Sequence, residues 1–184
     1  LTENKKKYAS PRRTQIIDAE EEINIEDIIA DEEMIVSITR GGYIKRVPIS
    51  LYQSQHRGGR GKTAMATKEE DFVENLFVAT NHDTMLFFTR MGFAYALKVY
   101  EIPESSRTSR GTAIVNLLQM HKGDSIAATV NTREFDDEHF VFFATKRGYV
   151  KRTVLSAFSH TKRRGIIAIG IPDDDELIDC HLTT

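Results

Sequence analysis

The chain has 184 residues, 40% of them hydrophobic and 28% charged, with a formal net charge of −2. That apolar content suffices for a packed core, so the chain need not be disordered, and the absence of any run of roughly 18 apolar residues excludes a membrane-spanning helix. The single Cys180 rules out an internal disulfide or a Cys-rich metal site and suits a reducing cytoplasm, and the six histidines show no metal-ligand spacing. No signal peptide is visible, and a start at Leu1 reads as a fragment of a longer chain.

In chain order, residues 18–33 come first as an acidic stretch with nine carboxylates and no base. An apolar run from Met34 to Ile38 follows, then Thr39-Arg40-Gly41-Gly42-Tyr43-Ile44-Lys45-Arg46. Residues Gln55-His56-Arg57-Gly58-Gly59-Arg60-Gly61 form a basic, glycine-rich loop, and between Met34 and Lys62 six Lys or Arg occur without one acid. The next apolar run, Met85 to Phe88, leads into Thr89-Arg90-Met91-Gly92-Phe93-Ala94-Tyr95-Ala96, and the third, Phe140 to Ala144, into Thr145-Lys146-Arg147-Gly148-Tyr149-Val150-Lys151-Arg152. Strand, glycine turn, strand is a hairpin pattern, with glycine supplying the positive φ of a tight turn.

These segments are an internal repeat. Gly42, Gly92 and Gly148 are 50 and 56 residues apart, and Arg60-Gly61, Arg110-Gly111 and Arg164-Gly165 follow them at 19, 19 and 17 residues. Each Arg-Gly opens a short apolar run such as Gly111 to Val115 or Gly165 to Ile169, and a closing strand such as Asp124 to Val130 completes a unit of about four strands. Long helical periodicity is absent after residue 30. An all-β, propeller-like array of four-stranded blades is therefore expected over 34–184, with a sandwich of accidentally similar hairpins as the alternative. The expected units are 34–74, 75–131 and 132–174, with 175–184 opening a fourth, after a linker at 1–33.

Charge is segregated along the chain. Residues 145–164 carry Lys146, Arg147, Lys151, Arg152, Lys162, Arg163 and Arg164 with no acid, whereas Asp173 to Glu176 is a continuous acidic run. Arg40, Arg90 and Lys146 each precede the first glycine of their unit by two residues, and Arg60, Arg110 and Arg164 immediately precede the second. Lys45 and Arg46 match Lys151 and Arg152, while the middle unit has Tyr95 and Ala96 there. In a circular array these cations would fall on one curved track suited to a phosphate backbone; alternatively, each caps its own turn or pairs with a nearby acid.

Residues 55–61 resemble the Gln-Arg-Arg-Gly-Gly-Lys/Arg-Gly box found in the C-terminal DNA-wrapping domain of gyrase A, part of the type II topoisomerase DNA gyrase, with His56 at the first Arg. Residues 42–48, 65–71, 109–118 and 164–169 are similar to the same family, so the resemblance covers nearly the whole chain. It implies a β-pinwheel, whose propeller-like blades exchange strands, and makes residues 1–15 look like the last helix of a preceding domain. The family's domain usually has six blades; three units and the start of a fourth are legible here, which suggests a partial domain.

The resemblance further implies chiral, sequence-independent wrapping of double-stranded DNA in support of ATP-dependent negative supercoiling. Arg57 and Arg60 would hold the duplex, and His56 would weaken the contact or make it pH-sensitive. The partners implied are the gyrase A cleavage domain and the gyrase B subunit, in a bacterial cytoplasmic A2B2 enzyme associated with the nucleoid. No cofactor is expected in this chain, since ATP and Mg2+ belong to other domains. No convergent acid, His and nucleophile set can be picked out, so the domain reads as non-catalytic. The carboxylates Asp173, Asp174 and Asp175 could bind a cation but read better as a solvated turn. The matching domain of topoisomerase IV and a propeller-like protein-binding module are the alternatives.

Overall fold

The computed structural model describes residues 25–52 and 72–184. After one helical turn, α1 (Ile25–Ile28), all regular elements longer than a 3-10 turn are strands. Three hairpins organise them: β1 (Glu33–Thr39) with β2 (Tyr43–Pro48), β4 (Thr84–Thr89) with β5 (Phe93–Lys98), and β8 (Phe140–Thr145) with β9 (Val150–Val154). Their turns are built alike. In each, the amide of Gly42, Gly92 or Gly148 donates to the carbonyl of Thr39, Thr89 or Thr145 at 2.9 Å. The glycine φ values are 76°, 87° and 85°, the left-handed region where a side chain is strained. The same threonines accept, on Oγ1, the amide of the aromatic residue after the glycine, at 3.1–3.2 Å. The repeated Thr-x-x-Gly-aromatic sequence is thus one turn used three times.

Each hairpin gains a third antiparallel strand on its first member: β3 (Val73–Thr80) on β1, β7 (Ile126–Thr132) on β4, and β11 (Leu177–Thr183) on β8. Two sheets gain a fourth strand out of sequence order. The two-residue β6 (Thr112–Ala113), which follows the second hairpin, pairs back onto β2 of the first, and β10 (Ile166–Ile167), which follows the third, pairs back onto β5. The sheet orders are β3-β1-β2-β6, β10-β5-β4-β7 and β11-β8-β9. The apolar runs that follow Arg110-Gly111 and Arg164-Gly165 are therefore strands given to the preceding blade.

This pairing moves the unit boundaries. Residues 177–183, expected to open a fourth unit, close the third sheet, and the expected boundary at residue 74 falls inside β3. Landmark spacing shows the repeat length but not which hairpin an intervening strand joins, and hydrogen-bond register decides that. The third sheet has three strands among the described residues instead of the expected four.

The second sheet is buried on both faces, as the unbroken burial of β4 requires. Met85 and Phe87 pack toward the first sheet with Val36, Ile38 and Leu97, while Leu86 and Phe88 pack toward the third with Val141 and Phe143. At the second junction the Phe88 ring meets Phe143 and Phe158 edge-on at 5.1 and 5.5 Å, a favoured aromatic geometry. Consecutive blades are thus joined by core packing as well as by strand exchange. No helix among the described residues is long and apolar enough to cross a membrane.

Candidate nucleic-acid interface

The matched cations divide into two groups by what they touch. Arg40, Arg90 and Lys146 stand exposed at the tips of the three equivalent turns. Their backbone amides are anchored alike, on the carbonyls of Phe72, Ser125 and Glu176 at 2.9–3.0 Å. The Arg40 guanidinium lies 5.7 Å from the Phe72 ring. Arg90 and Lys146 both reach Glu176, at 3.2 and 3.1 Å, so one carboxylate bridges the second and third turns. Hydrogen bonds from Lys146 and then Arg90 hold the Glu176 carboxyl below its usual range. Next to it Arg147 pairs with Asp174, and the Arg147 and Glu176 amides donate to Asp175 Oδ1 at 3.0 and 2.8 Å. Residues 174–176 of the acidic run are thus engaged with the basic turns, and pairing with a nearby acid, one of the alternatives left by the sequence, holds for Arg90, Lys146 and Arg147.

The second group holds the exchanged segments. Lys45, expected on the exposed track, is instead fully buried. Its ammonium donates to the carbonyls of Ser106, Arg107 and Ser109 at 3.0, 2.6 and 2.9 Å, pinning the loop that delivers β6. Burial pushes its pKa down. A cation whose three donors all end on carbonyls has none left for an external phosphate. At the equivalent position Lys151 donates to the Ala168 carbonyl at 2.6 Å, beside β10. Arg46 is also committed: its Nε donates to the Ile102 carbonyl at 2.7 Å, and one terminal nitrogen reaches Asn81 at 3.1 Å and Glu104 at 3.3 Å. Alternation in β2 sends Lys45 and Arg46 to opposite faces, and neither joins the turn tips.

Tyr95 replaces Lys45 in the middle blade and meets the same incoming segment. A Cβ on Gly165 would lie 2.5 Å from its ring, as a Cβ on Gly111 would lie 2.5 Å from the Ile44 carbonyl and 3.0 Å from Lys45 Cβ. Each glycine of the two described Arg-Gly landmarks, Gly111 and Gly165, is therefore required by close approach to the preceding blade. The landmark arginine need not be free: Arg110 stacks 3.6 Å from the Tyr43 ring centroid, and Arg152, which matches Arg46, lies at the same distance over Phe140, both cation–π contacts. Lys162 and Arg164 are exposed, and Arg163 pairs with Glu101 at 2.8 Å. Residues 55–61, the glycine-rich box from Gln55 to Gly61, lie outside the described residues.

Two cations missed in the sequence, Lys98 and Arg133, line a groove of about 670 Å³ with Lys162, Arg163 and Arg164. Neither occupies a matched repeat position, so the repeat offered no signal for them.

Three propeller-like blades, the second and third of which each lend a strand backward, with a basic residue at the same place in each turn, define a strand-exchanged repeat domain. Residues 33–80, 83–132 and 139–184 each match the family model described as DNA gyrase C-terminal domain, beta-propeller, and the chain belongs to that family. The three matched stretches begin and end with the sheets' own hairpins and third strands. Among curated relatives, the gyrase A protein of Clostridium acetobutylicum is 46% identical over 183 residues and that of Helicobacter pylori 49% identical over 182, covering 100% and 99% of this chain. The chain spans 22% of the length of each relative. A solved C-terminal domain of DNA topoisomerase IV superposes with a TM-score of 0.72 at 26% identity, covering 84% of this chain and 47% of that one. A solved DNA gyrase A C-terminal domain superposes with a TM-score of 0.65 at 22% identity, covering 83% and 48%.

Proposed function

We propose that this domain binds duplex DNA without sequence preference and bends it around its basic turns, as part of a DNA gyrase. The observation that carries the reading is the exposed placement of Arg40, Arg90 and Lys146 at three geometrically equivalent turns of a blade array. Duplex DNA presents a charge about every 1.7 Å of its axis, and cations spaced from blade to blade gain affinity by releasing counterions. Bending a site of a few helical turns costs on the order of several kcal/mol, which contacts spread over successive blades offset. No recognition helix among the described residues is available to enter a groove, so contacts go to phosphate and set position, not sequence. The Arg57 and Arg60 of the glycine-rich box would add contacts of the same kind.

In the assembled enzyme the wrapped segment would be delivered to the gyrase A cleavage domain, with the gyrase B subunit supplying ATP turnover, so that strand passage introduces negative supercoils in the bacterial cytoplasm. The domain supplies no chemistry in this scheme, and Mg2+ and ATP act elsewhere in the A2B2 assembly. A topoisomerase IV-type domain is the second reading, favoured by the 0.72 superposition; the box at 55–61 and the 46–49% identity to gyrase A relatives favour gyrase.

The test is a duplex carrying a fluorophore at each end. Binding should bring the ends closer, with an affinity that falls linearly in log[salt]. With phosphate displacing Glu176 from Arg90 and Lys146, Arg40→Ala, Arg90→Ala and Lys146→Ala together should reduce the slope by about 2.7, at roughly 0.9 per lost phosphate contact. Unchanged slope and unchanged end-to-end distance would overturn the reading and favour a protein-binding module.

A further inference from the structure

In the groove between the second and third sheets, as at the second and third turns, part of the charge is already answered from within the chain. Its wall carries Lys98, Arg133, Lys162, Arg163 and Arg164 against the single acid Glu101. Arg163 is neutralised by Glu101 at 2.8 Å. Lys162 and Arg164 form no ion pair with any described acid and point to solvent, and the buried hydroxyl of Thr161, also in the wall, has no hydrogen-bond partner among the described residues. The other two cations are capped from outside by the acidic segment that precedes β1. Glu26 of α1 reaches Lys98 Nζ at 2.8 Å, and Asp31 reaches Arg133 at 2.8 Å.

That segment is fastened along its length. His82 Nε2 lies 2.8 Å from the Ile29 carbonyl, the Asn81 side-chain amide donates to the Ala30 carbonyl at 2.8 Å, and the Asn81 backbone amide to that of Glu32 at 3.1 Å. It spans the groove edge as a strap whose two carboxylates meet the cations as phosphate oxygens would. A guanidinium or ammonium held by a carboxylate binds phosphate at full strength only once that carboxylate is displaced, here as at Glu176.

We infer that the groove between the second and third blades is a phosphate-binding site and that Glu26 and Asp31 of the acidic strap are its built-in competitor. The ligand class is a run of phosphate groups, supplied either by a DNA backbone passing over the groove or by a free polyphosphate. Lys162 and Arg164 make the first contacts. Displacement of the strap then leaves Lys98 on the His82 carbonyl at 3.0 Å and Arg133 on the Thr80 hydroxyl at 3.2 Å and Asp83 at 4.0 Å, each with donors to spare for phosphate, which strengthens those contacts. This inference rests on the polyanion-binding reading above and adds an internal brake to it.

The test uses the intact chain and two probes, a 40-base-pair duplex and inorganic tripolyphosphate, with wild type, Glu26→Gln/Asp31→Asn, and that variant with Lys162→Gln/Arg164→Gln added. Freeing two cations should tighten duplex binding about tenfold at low salt and steepen the salt slope by about 1.8, and the added pair of substitutions should abolish the gain. Duplex binding left unchanged by the strap substitutions overturns the inference while leaving the wrapping reading intact. If no form binds the duplex but the strap variant binds tripolyphosphate more tightly than wild type, the groove and its brake stand, with a small polyphosphate as ligand, and the wrapping reading falls. Binding of neither probe overturns both. Should the double variant fail to fold, Glu26→Gln alone must show half the change in slope.

Discussion

Strand exchange makes a prediction that separates two glycines of nearly identical backbone geometry. Gly92 and Gly148 have φ of 87° and 85° and donate the same hydrogen bond to the threonine three residues back. Alanine at either adopts a left-handed conformation costing about 1–2 kcal/mol, reduced by about 0.4–1 kcal/mol through the stiffer unfolded chain. At Gly148 nothing lies within 4 Å of a Cβ, so the cost stays near 1 kcal/mol. At Gly92 the Cβ would stand 2.3 Å from the Ile169 carbonyl, in the segment just after β10. That segment must retreat, and the Gly92 carbonyl loses the amides of Ala168 and Ile169, now at 2.8 and 3.1 Å. At about 1 kcal/mol per hydrogen bond, Gly92→Ala should cost about 3 kcal/mol, some 2 kcal/mol more than Gly148→Ala. Urea denaturation followed by circular dichroism measures it: with a slope of about 2 kcal/mol/M, the Gly92→Ala midpoint should fall about 1 M below that of Gly148→Ala. Equal midpoints would refute the backward pairing of β10 onto the second blade.

Three further outcomes are expected. Lys45→Met should destabilise the domain by about 3 kcal/mol, because three carbonyls lose their donor, yet leave the salt slope of DNA binding unchanged; a reduced slope with unchanged urea midpoint would place Lys45 on the DNA instead. The Asp31 carboxyl, which burial alone would raise, is brought to about 2 from 3.8 by hydrogen bonds with Arg133, Thr80 and the His82 amide. Its folded pKa lies below the unfolded one, so its stabilisation is present above about pH 4 and lost as pH falls toward 2; Asp31→Asn should flatten the stability profile in that window, as urea midpoints at each pH will show. Burial, and then Asp179, push the Cys180 thiol up to about 12, so a thiol reagent should label it only as fast as the third sheet opens, and rapid labelling of the native domain would contradict the packing of Cys180 in the core.

The repeat, its hairpins and the all-β class were legible because the turn chemistry is local: Thr, Gly and an aromatic residue in fixed spacing carry all three turns. The backward pairing of β6 and β10 was not, since a two-residue strand has no periodicity of its own and its partner lies in the previous unit. The same holds for β11, whose pairing with β8 depends on register across the intervening residues. Among the candidate site residues, matched sequence position located Arg40, Arg90 and Lys146 on equivalent exposed turns. It misplaced Lys45, because identity of residue type says nothing about whether an ammonium ends in solvent or on three carbonyls. The role of Glu176 between two basic turns, and of Asp31 on Arg133, depends on contacts across 86 and 102 residues that no local pattern encodes.

If the blade array wraps DNA, a circle closed around it keeps a change in linking number after the protein is removed. Nicked circular DNA is incubated with the domain, sealed with ligase and freed of protein, and its linking number is compared with that of a protein-free control. Wrapping gives a shift that grows with protein concentration and shrinks for Arg40→Ala/Arg90→Ala/Lys146→Ala. Saturated binding with the linking number unmoved would contradict it.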